Sequence, residues 1–340
     1  MNKQLFPTLV ALLMLSFSFV GSSYSIWDAE ETYIYSFDGK TLYVGGSGLG
    51  NYSSIQDAID NASSDDTIFV FNGTYYENHI YVDKTVNLIG ENKETTIIDG
   101  DNGGDIVIIG ADGVYLSGFT IQQAGNINDN GIFIYNSNNC TIKDNNVLFI
   151  REDGIWLFRT NNTTITNNTI NMISGTGLML TLSSNALIMD NNISNNGAGI
   201  GLDEATNSLV TNNTLSNNYL GIYLSNFDHF FGYNAITENN ILHNKQCGIG
   251  IYLSYSNKIE KNNFIGNKRH AKFETSFYNS WDANYWGKSR LFPKPIFGII
   301  TRLNFPLPIP IPIPIPIVGN GFPIIGIQFD WNPVQEPYDI

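Results

Sequence analysis

Acidic side chains beside recurring glycines are the first residues of this sequence that could do chemistry. Asp129 lies two residues before Gly131, and Glu152 and Asp153 immediately precede Gly154, one repeat later. Two carboxylates about 5–9.5 Å apart can cleave a glycosidic bond, one as the acid and the other as base or nucleophile. Asp129, Glu152 and Asp153 are therefore the catalytic candidates for a polysaccharide hydrolase or lyase. The alternative is that they are solvated turn residues.

A second acidic cluster has the spacing of a calcium-binding loop. Asp99, Asp101 and Asp105 alternate with Asn and Gly, but Gly110 stands where an EF-hand requires a glutamate. A tight corner of the chain explains the same residues. Histidines and cysteines are scattered, without the spacing of a zinc or copper site. We therefore expect no cofactor other than Ca²⁺ at this loop.

The elements that must position these residues follow from a repeat. Glycine followed by alternating large side chains recurs at intervals of 23, 23, 22, 22 and 29 residues, and Asn pairs such as Asn191-Asn192 keep pace with it. The repeating glycines are Gly131, Gly154, Gly177, Gly199, Gly221 and Gly250. This period with strand-like alternation is typical of a β-solenoid. The Asn residues are expected at corners, where their amides can bond to the same amide one coil away.

Alternation after each glycine separates inward from outward side chains. The first and third following residues are uniformly aliphatic and form the predicted core, so the second and fourth face outward. The aromatic outward residues are Phe133, Tyr135, Trp156, Phe158, Tyr223 and Tyr252. Stacked coils would make them an exposed stripe, and exposed apolar stripes usually bind something. These six residues are the ligand-binding candidates.

The whole chain divides into four parts. Residues 1–25 resemble a secretory signal, with Lys3 before an apolar run and small residues after it. Residues 26–52 are a polar lead-in, and residues 53–290 are predicted to be an all-β, right-handed parallel β-helix of about nine coils. Residues 291–340 form a Pro/Ile-rich extension in which Pro306–Pro316 must run extended.

Two local features refine the predicted β-helix. Apolar residues at helical spacing in Ser53–Ala62 predict a capping helix, with Ser53 and Gln56 as its capping box. Such a helix would cover the open first coil. The longer interval before Gly250 contains Asn226–Tyr233, which predicts a loop inserted in one coil.

Composition limits the partners and the bonds that stabilise the chain. The formal net charge of −14 argues against a nucleic-acid partner and against attraction of an acidic polysaccharide by overall charge. Cys140 and Cys247 lie 107 residues apart, almost five coils, which is too far for a disulfide. Stability must come from stacking of the coils.

Several segments resemble a known family. Ile55–Ala62, Asn72–Glu77, Leu88–Glu91, Gly118–Ile121 and Phe329–Asp339 resemble the exported parallel β-helix repeat proteins of methanogenic archaea. Those proteins are related to the periplasmic copper-binding NosD family and to the carbohydrate-binding and sugar-hydrolase (CASH) domain. The resemblance implies a right-handed parallel β-helix and an exported or envelope-associated protein. It implies no particular reaction, since no catalytic motif or copper ligand set matches.

Three functions follow from these observations. The first is a secreted, cell-surface or envelope-associated β-helix that binds a glycan on the aromatic residues or has a structural role, without catalysis. In one version of it the Pro/Ile extension covers those residues. The second is a polysaccharide hydrolase or lyase using Asp129 and Glu152-Asp153. The third is delivery of a metal such as copper. Neither nucleic acid nor a membrane span after signal cleavage is expected.

Overall fold

The fold is described here from a computed structural model, for residues 39–125, 128–226, 232–300 and 324–340. It contains one helix, α1 (Ile55–Asn61), and strands numbered β1 to β31 in chain order. The predicted signal segment, residues 26–38 of the lead-in, residues 227–231 of the predicted loop and the run Pro306–Pro316 lie outside the described residues.

The strands lie on three faces of a coil that advances with the chain. Face 1 consists of β4 (Ile80–Val82), β7 (Val107–Ile109), β10 (Ile132–Tyr135), β13 (Ile155–Phe158), β16 (Thr176–Thr181), β19 (Ala198–Asp203), β22 (Leu220–Ser225), β25 (Cys247–Tyr252), β28 (Ala271–Glu274) and β30 (Lys294–Ile300). Face 2 consists of β1 (Thr41–Val44), β2 (Thr67–Val70), β5 (Asn87–Gly90), β8 (Tyr115–Ser117), β11 (Thr141–Lys143), β14 (Thr164–Thr166), β17 (Leu187–Met189), β20 (Leu209–Thr211), β23 (Ala235–Thr237), β26 (Lys258–Glu260), β29 (Ser280–Asp282) and β31 (Ile324–Asp330). Face 3 consists of β3 (Gly73–Tyr76), β6 (Thr96–Asp99), β9 (Thr120–Gln122), β12 (Asn146–Leu148), β15 (Thr169–Asn171), β18 (Asn192–Ser194), β21 (Thr214–Ser216), β24 (Asn240–Leu242) and β27 (Asn263–Ile265).

Each strand pairs in parallel with the strand on the same face of the next coil. On face 1, for example, Ile132, Phe133 and Ile134 pair with Ile155, Trp156 and Leu157. The chain is thus a right-handed parallel β-solenoid of about 11 turns, which confirms the predicted fold class. The predicted count of nine coils is slightly low, because β1 adds strand pairing within the predicted lead-in and β30 and β31 add it within the predicted C-terminal extension.

The inward positions predicted from alternation form one continuous core. Ile132, Ile155, Leu178, Ile200 and Ile222 are fully buried, as are the aliphatic residues two positions later in the same strands. Burial of large aliphatic side chains from every coil supplies the main favourable free energy of such a fold.

Buried Asn side chains join successive coils at the corner between faces 2 and 3. Asn191 is typical: its Nδ2 donates to Ile165 O at 2.9 Å, Met189 O at 2.9 Å and Asn213 Oδ1 at 3.0 Å. The ladder consists of Asn145, Asn168, Asn191, Asn213, Asn239, Asn262 and Asn284. It ends on the buried carboxylate of Asp330, which accepts from Asn284 Nδ2 at 3.1 Å. The predicted amide ladder is confirmed.

The N-terminal end is covered by α1, as predicted, but with a different cap. Ser54, not Ser53, is the N-cap, and its hydroxyl accepts from Asp57 N at 3.2 Å. Gln56 does not complete the capping box; the carboxylate of Glu77 accepts from Ile55 N at 2.8 Å instead. The helix buries Ile55 and two neighbouring apolar residues in the same core as the strands.

The C-terminal extension is described in two parts that close the other end. Strands β30 and β31 pair with each other in antiparallel register, and they add to β28 and β29 respectively. Trp281 and Trp286 are buried beneath them, and Trp281 Nε1 donates to Gln328 Oε1 at 2.7 Å. Cys140 and Cys247 are not paired with each other, as predicted, and both are buried. No helix in the described part of the chain is long and apolar enough to cross a membrane.

Candidate functional site

Aromatic side chains on the outer surface of face 1 touch one another across several coils. Phe133 stacks on Trp156 with ring centroids 4.6 Å apart and on Tyr135 at 5.4 Å. Trp156 also contacts Phe158 at 5.6 Å, and Tyr135 Oη lies 2.8 Å from the hydroxyl of Tyr81. We call Tyr81, Phe133, Tyr135, Trp156 and Phe158 the aromatic stripe. Tyr81 is a member that sequence reasoning missed, because β4 precedes the regular repeat.

The stripe is partly exposed and held in place at its edges. Phe133, Tyr135, Trp156 and Phe158 are each half-buried, and Tyr81 is 39% exposed. Trp156 Nε1 donates to Thr181 Oγ1 at 3.0 Å, and the Arg159 guanidinium lies 4.9 Å from the Phe158 ring centroid. An ordered, partly apolar surface of this kind suits a ligand with apolar faces.

Tyr223 continues face 1 but turns back toward the stripe. Its strand pairs Tyr223 with Gly201, and Gly201 pairs with Met179. Since Gly201 has no side chain, the Tyr223 ring crosses that coil and its hydroxyl lies 3.0 Å from Met179 Sδ. Burial raises the pKa of Tyr223 to about 12, and the charges of Asp153 and Asp203 add to that shift while Thr176 opposes it. The phenol is therefore neutral at any ordinary pH.

Asp153 is the catalytic candidate with the most unusual environment. Burial raises the pKa of its carboxyl to about 6, the charge of Glu152 adds to the shift, and hydrogen bonds from Thr176 oppose it. Asp153 Oδ1 accepts from Thr176 N at 2.8 Å. A carboxyl with such a pKa exchanges protons near neutrality, as a general acid or base must.

The three catalytic candidates lie at the same corner of two neighbouring coils: Asp153 N donates to Asn130 Oδ1 at 3.2 Å, and Gly131 N donates to Asp153 O at 3.1 Å. Asp153 lies near Tyr223, as does Asp203, whose carboxylate accepts from the Ser225 hydroxyl. Asp129 is half-buried in the segment that precedes Gly131, one coil earlier. Asp203 lies at the other end of face 1 from Asp153, since it pairs with Thr181, and Thr181 pairs with Phe158.

Tyr252 lies in a different outward column from the one predicted. It pairs with Ser225, and the equivalent of Tyr223 in that coil is Gly250. Gly248 therefore corresponds to Gly221, so the prediction was wrong by two residues. The cause is that the Gly-Ile phrase occurs twice in Gly248–Ile251 and the longer interval gave no way to choose. Tyr252 belongs to a separate pocket at the C-terminal end of face 1.

That pocket was missed in the sequence. It has a volume of about 680 Å³ and lies between β28 and β30. Four of its lining residues are cations, Lys268, Arg269, Lys272 and Lys294. The overall charge of −14 concealed it, because averaging over the chain hides a local excess of positive charge.

The predicted calcium loop does not gather its three carboxylates. Asp99 accepts from Gln122 Nε2 at 2.8 Å and from Gln123 Nε2 at 3.0 Å. Asp105 accepts from Asn130 Nδ2 at 2.9 Å, on another coil. Across the described ranges, no three His, Cys, Asp or Glu side chains are grouped so that they could hold a metal ion. The carboxylates of Asp99 and Asp105 instead accept hydrogen bonds from residues of the next coil.

Comparison with known proteins agrees with the fold. The profile of the family described as "Right handed beta helix region" matches residues 130–285. That match includes the coils that carry Phe133 and Trp156. No curated protein matches the chain in a sequence search.

Solved structures with the same fold include sugar complexes and enzymes named for the polysaccharides on which they act. The alginate lyase from Paenibacillus sp. str. FPU-7 is 12% identical, covers 71% of this chain and 94% of its own, and has a TM-score of 0.55. XylC in complex with xylose is 12% identical, with coverages of 72% and 68% and a TM-score of 0.58. The catalytic domain of a GH87 alpha-1,3-glucanase with tetrasaccharides is 14% identical, with coverages of 73% and 55% and a TM-score of 0.53. At these identities the likeness shows a shared fold alone.

Proposed function

We propose that this is an exported β-helix protein that binds a glycan along the aromatic stripe of face 1. The observation that carries the proposal is the set of ring contacts that joins Phe133, Tyr135, Trp156 and Phe158 on two neighbouring coils, extended to Tyr81 by a hydrogen bond between hydroxyls across the coil of Ile108. Strands in a solenoid are about 4.8 Å apart, so rings on neighbouring coils, such as Phe133 and Trp156, stack on one another and form a continuous apolar surface. Pyranose rings present apolar C–H faces that pack against such a surface.

The aromatic stripe places large, partly apolar rings at positions of the β-solenoid that face solvent. Partly exposed aromatic residues cost free energy in water, since their apolar area stays hydrated unless a ligand covers it. Elsewhere on face 1 the same columns hold Thr181, Asp203 and Ser225. Folding alone does not require aromatic side chains on these coils and small or polar ones on the others. Binding of a ligand to these coils would require that difference.

Export is part of the same proposal. The charged Lys3, the apolar run at 5–20 and the small residues that follow are typical of a secretory signal. A polysaccharide of the cell envelope or of the surroundings is then the accessible ligand. The sugars and polysaccharides named with the neighbouring structures support a carbohydrate as the ligand class.

A glycan array tests this proposal. The full chain should bind a subset of oligosaccharides, and Trp156→Ala should weaken that binding about thirtyfold, because removing a tryptophan anchor typically costs about 2 kcal/mol. Trp331, 62% exposed at the C-terminal end, is the matched control, and Trp331→Ala should bind as the natural protein does. Absence of any bound glycan, or equal loss in both variants, would contradict the proposal.

A second candidate function is hydrolysis of the bound glycan. It is favoured by one observation, the half-buried Asp153, whose pKa of about 6 suits a proton donor and which lies near Tyr223. Asp153→Asn should then abolish release of reducing sugar from the glycan found on the array. Retained binding without any turnover by the natural protein would leave the non-catalytic function.

A further inference from the structure

The pocket at the C-terminal end of face 1 concentrates positive charge in an acidic protein. Residues 268–294 contain six Lys or Arg and two acidic residues, a net charge of +4, whereas the whole chain carries −14. Lys272 continues the outward column of Tyr223 and Gly250, so the pocket lies on the same surface as the stripe but several coils beyond it.

Among the residues that line the pocket, four cations outnumber one carboxylate. In the described ranges the ion pairs within 4.0 Å are Lys143–Asp144, Lys258–Glu260 and Lys261–Glu238, all of them elsewhere. Glu274 is the single carboxylate among the lining residues. Arg290 Nε, close behind the pocket, is buried without a hydrogen-bond acceptor. Like charges held together in this way repel one another, and an anion would relieve the repulsion.

The excess positive charge contributes to the pKa shifts of two groups, His270 and Lys294. Burial lowers the pKa of His270 to about 4, and the charges of Lys294 and Arg290 add to the shift. Burial also lowers the pKa of Lys294, with Arg290 and Lys288 contributing. His270 is therefore neutral at pH 7, while the surrounding lysines and arginines keep the pocket positive.

Aromatic and apolar groups complete the walls. Lys272 Nζ lies 5.0 Å from the centroid of the Tyr252 ring, and Lys294 Nζ lies 5.8 Å from that of Trp286. Ile296 and Phe297 of β30 line the opposite side. The volume of about 680 Å³ is sufficient for a small ligand of one or two sugar rings.

We propose that this pocket binds a phosphate or sulfate group, either free or esterified to a sugar. Several lysines and an arginine around one space favour an oxyanion with more than one charge and several acceptor oxygens over a single carboxylate. The rings beside the cations provide room for a sugar that carries the group. The site is independent of the aromatic stripe and needs no catalysis.

Titration calorimetry on the full chain at constant ionic strength tests the site. The probes are inorganic phosphate, inorganic sulfate, glucose 6-phosphate, glucose and glucuronate. Glucose 6-phosphate should bind at least tenfold more tightly than glucuronate, and glucose should not bind. Lys272→Gln and Lys294→Gln should each weaken phosphate binding at least tenfold. Lys258→Gln and Lys261→Gln, on lysines that are paired with glutamates on face 2, are the controls and should change nothing.

Each outcome either supports or overturns the proposed phosphate or sulfate site. Tighter binding of glucose 6-phosphate than of inorganic phosphate would identify the ester as the occupant, and equal affinities the free anion; both support the site. The proposal would be overturned if glucuronate bound as tightly as glucose 6-phosphate, or if no anion bound. It would also be overturned if Lys272→Gln and Lys294→Gln kept full affinity for phosphate. Trp156→Ala should retain its phosphate affinity, so failure of the stripe and failure of this pocket are separately visible.

Discussion

Trp156 contacts both neighbouring coils. Its ring stacks on Phe133 of the preceding coil, with centroids 4.6 Å apart and planes inclined by 24°, and its Nε1 donates to Thr181 Oγ1 of the following coil at 3.0 Å. The ring therefore has its orientation set from both sides before any ligand arrives. An ordered platform loses little conformational entropy on binding, which favours affinity.

The hydrogen bond to Thr181 should matter for binding more than for folding. Thr181→Val removes the acceptor but keeps the shape of the side chain, so Trp156 gains freedom and glycan affinity should fall about three- to tenfold. Thr211→Val makes the same change at a half-buried position on face 2 and should leave affinity unaltered. Calorimetry with a glycan selected on the array measures both. Equal affinities of the natural protein and Thr181→Val would show that the bond has no positioning role.

Gly201 should control the position of Tyr223. A Cβ at Gly201 would come within 2.6 Å of both Met179 Sδ and the Tyr223 hydroxyl, and both are ends of flexible side chains. Gly201→Ala should therefore fold normally but displace the ring into solvent. The pKa of Tyr223, raised to about 12 by burial, should then fall toward the ordinary value of about 10.

Ultraviolet titration of tyrosine ionisation measures that change. The difference between Gly201→Ala and the natural protein should correspond to one tyrosine, and it should vanish when both carry Tyr223→Phe. A titration curve unchanged by Gly201→Ala would contradict the described position of the ring.

Asp153 should lower stability at neutral pH. Its pKa is about 6 in the folded protein and near 3.8 when unfolded, so the folded state resists ionisation. The favourable contribution of the protonated form is complete below pH 3.8 and is lost as the pH rises through 6. Asp153→Asn should accordingly stabilise the protein by about 1–3 kcal/mol at pH 7 and have little effect near pH 4.

Urea unfolding at both pH values measures this difference. Asp83→Asn, which alters an exposed carboxylate, is the control and should not change stability with the same pH dependence. A destabilised Asp153→Asn protein at pH 7 would show that the charged form is favoured by the fold.

The two members of one Asn pair should behave very differently. Asn191 is buried and makes three donated bonds to Ile165 O, Met189 O and Asn213 Oδ1, whereas its neighbour Asn192 is exposed. Asn191→Ala should lower the free energy of unfolding by about 3 kcal/mol or more, because it leaves buried polar groups unpaired. Asn192→Ala should change it by less than about 0.5 kcal/mol. Similar values for the two variants would contradict the role of the ladder.

The architecture was predictable because each coil repeats the same physical constraints. The inward Ile and Leu, the glycine before them and the corner Asn recur with a nearly constant period. One assignment of inward, outward and corner positions therefore holds for many coils. Tyr252 was misplaced where the period changed and two Gly-Ile steps competed. Ser53 was mistaken for the cap because the sequence cannot show that Glu77, from another coil, occupies the helix terminus.

The sites were less predictable because they join residues through space and not through the repeat. The outward aromatic column was evident from alternation, but Tyr81 joins it from a strand outside the repeated phrase. The contact of Tyr223 with Met179 depends on an absent side chain at Gly201. The basic pocket forms only because β30 of the C-terminal extension pairs with β28. No local sequence pattern predicts that pairing.

A crystal structure with an oligosaccharide selected on the array would test the central claim most directly. We expect sugar rings stacked over Trp156 and along face 1 toward Phe133 and Phe158, with the Trp156–Thr181 bond intact. Sugar bound on face 2 or face 3, with the aromatic stripe uncovered, would contradict the account.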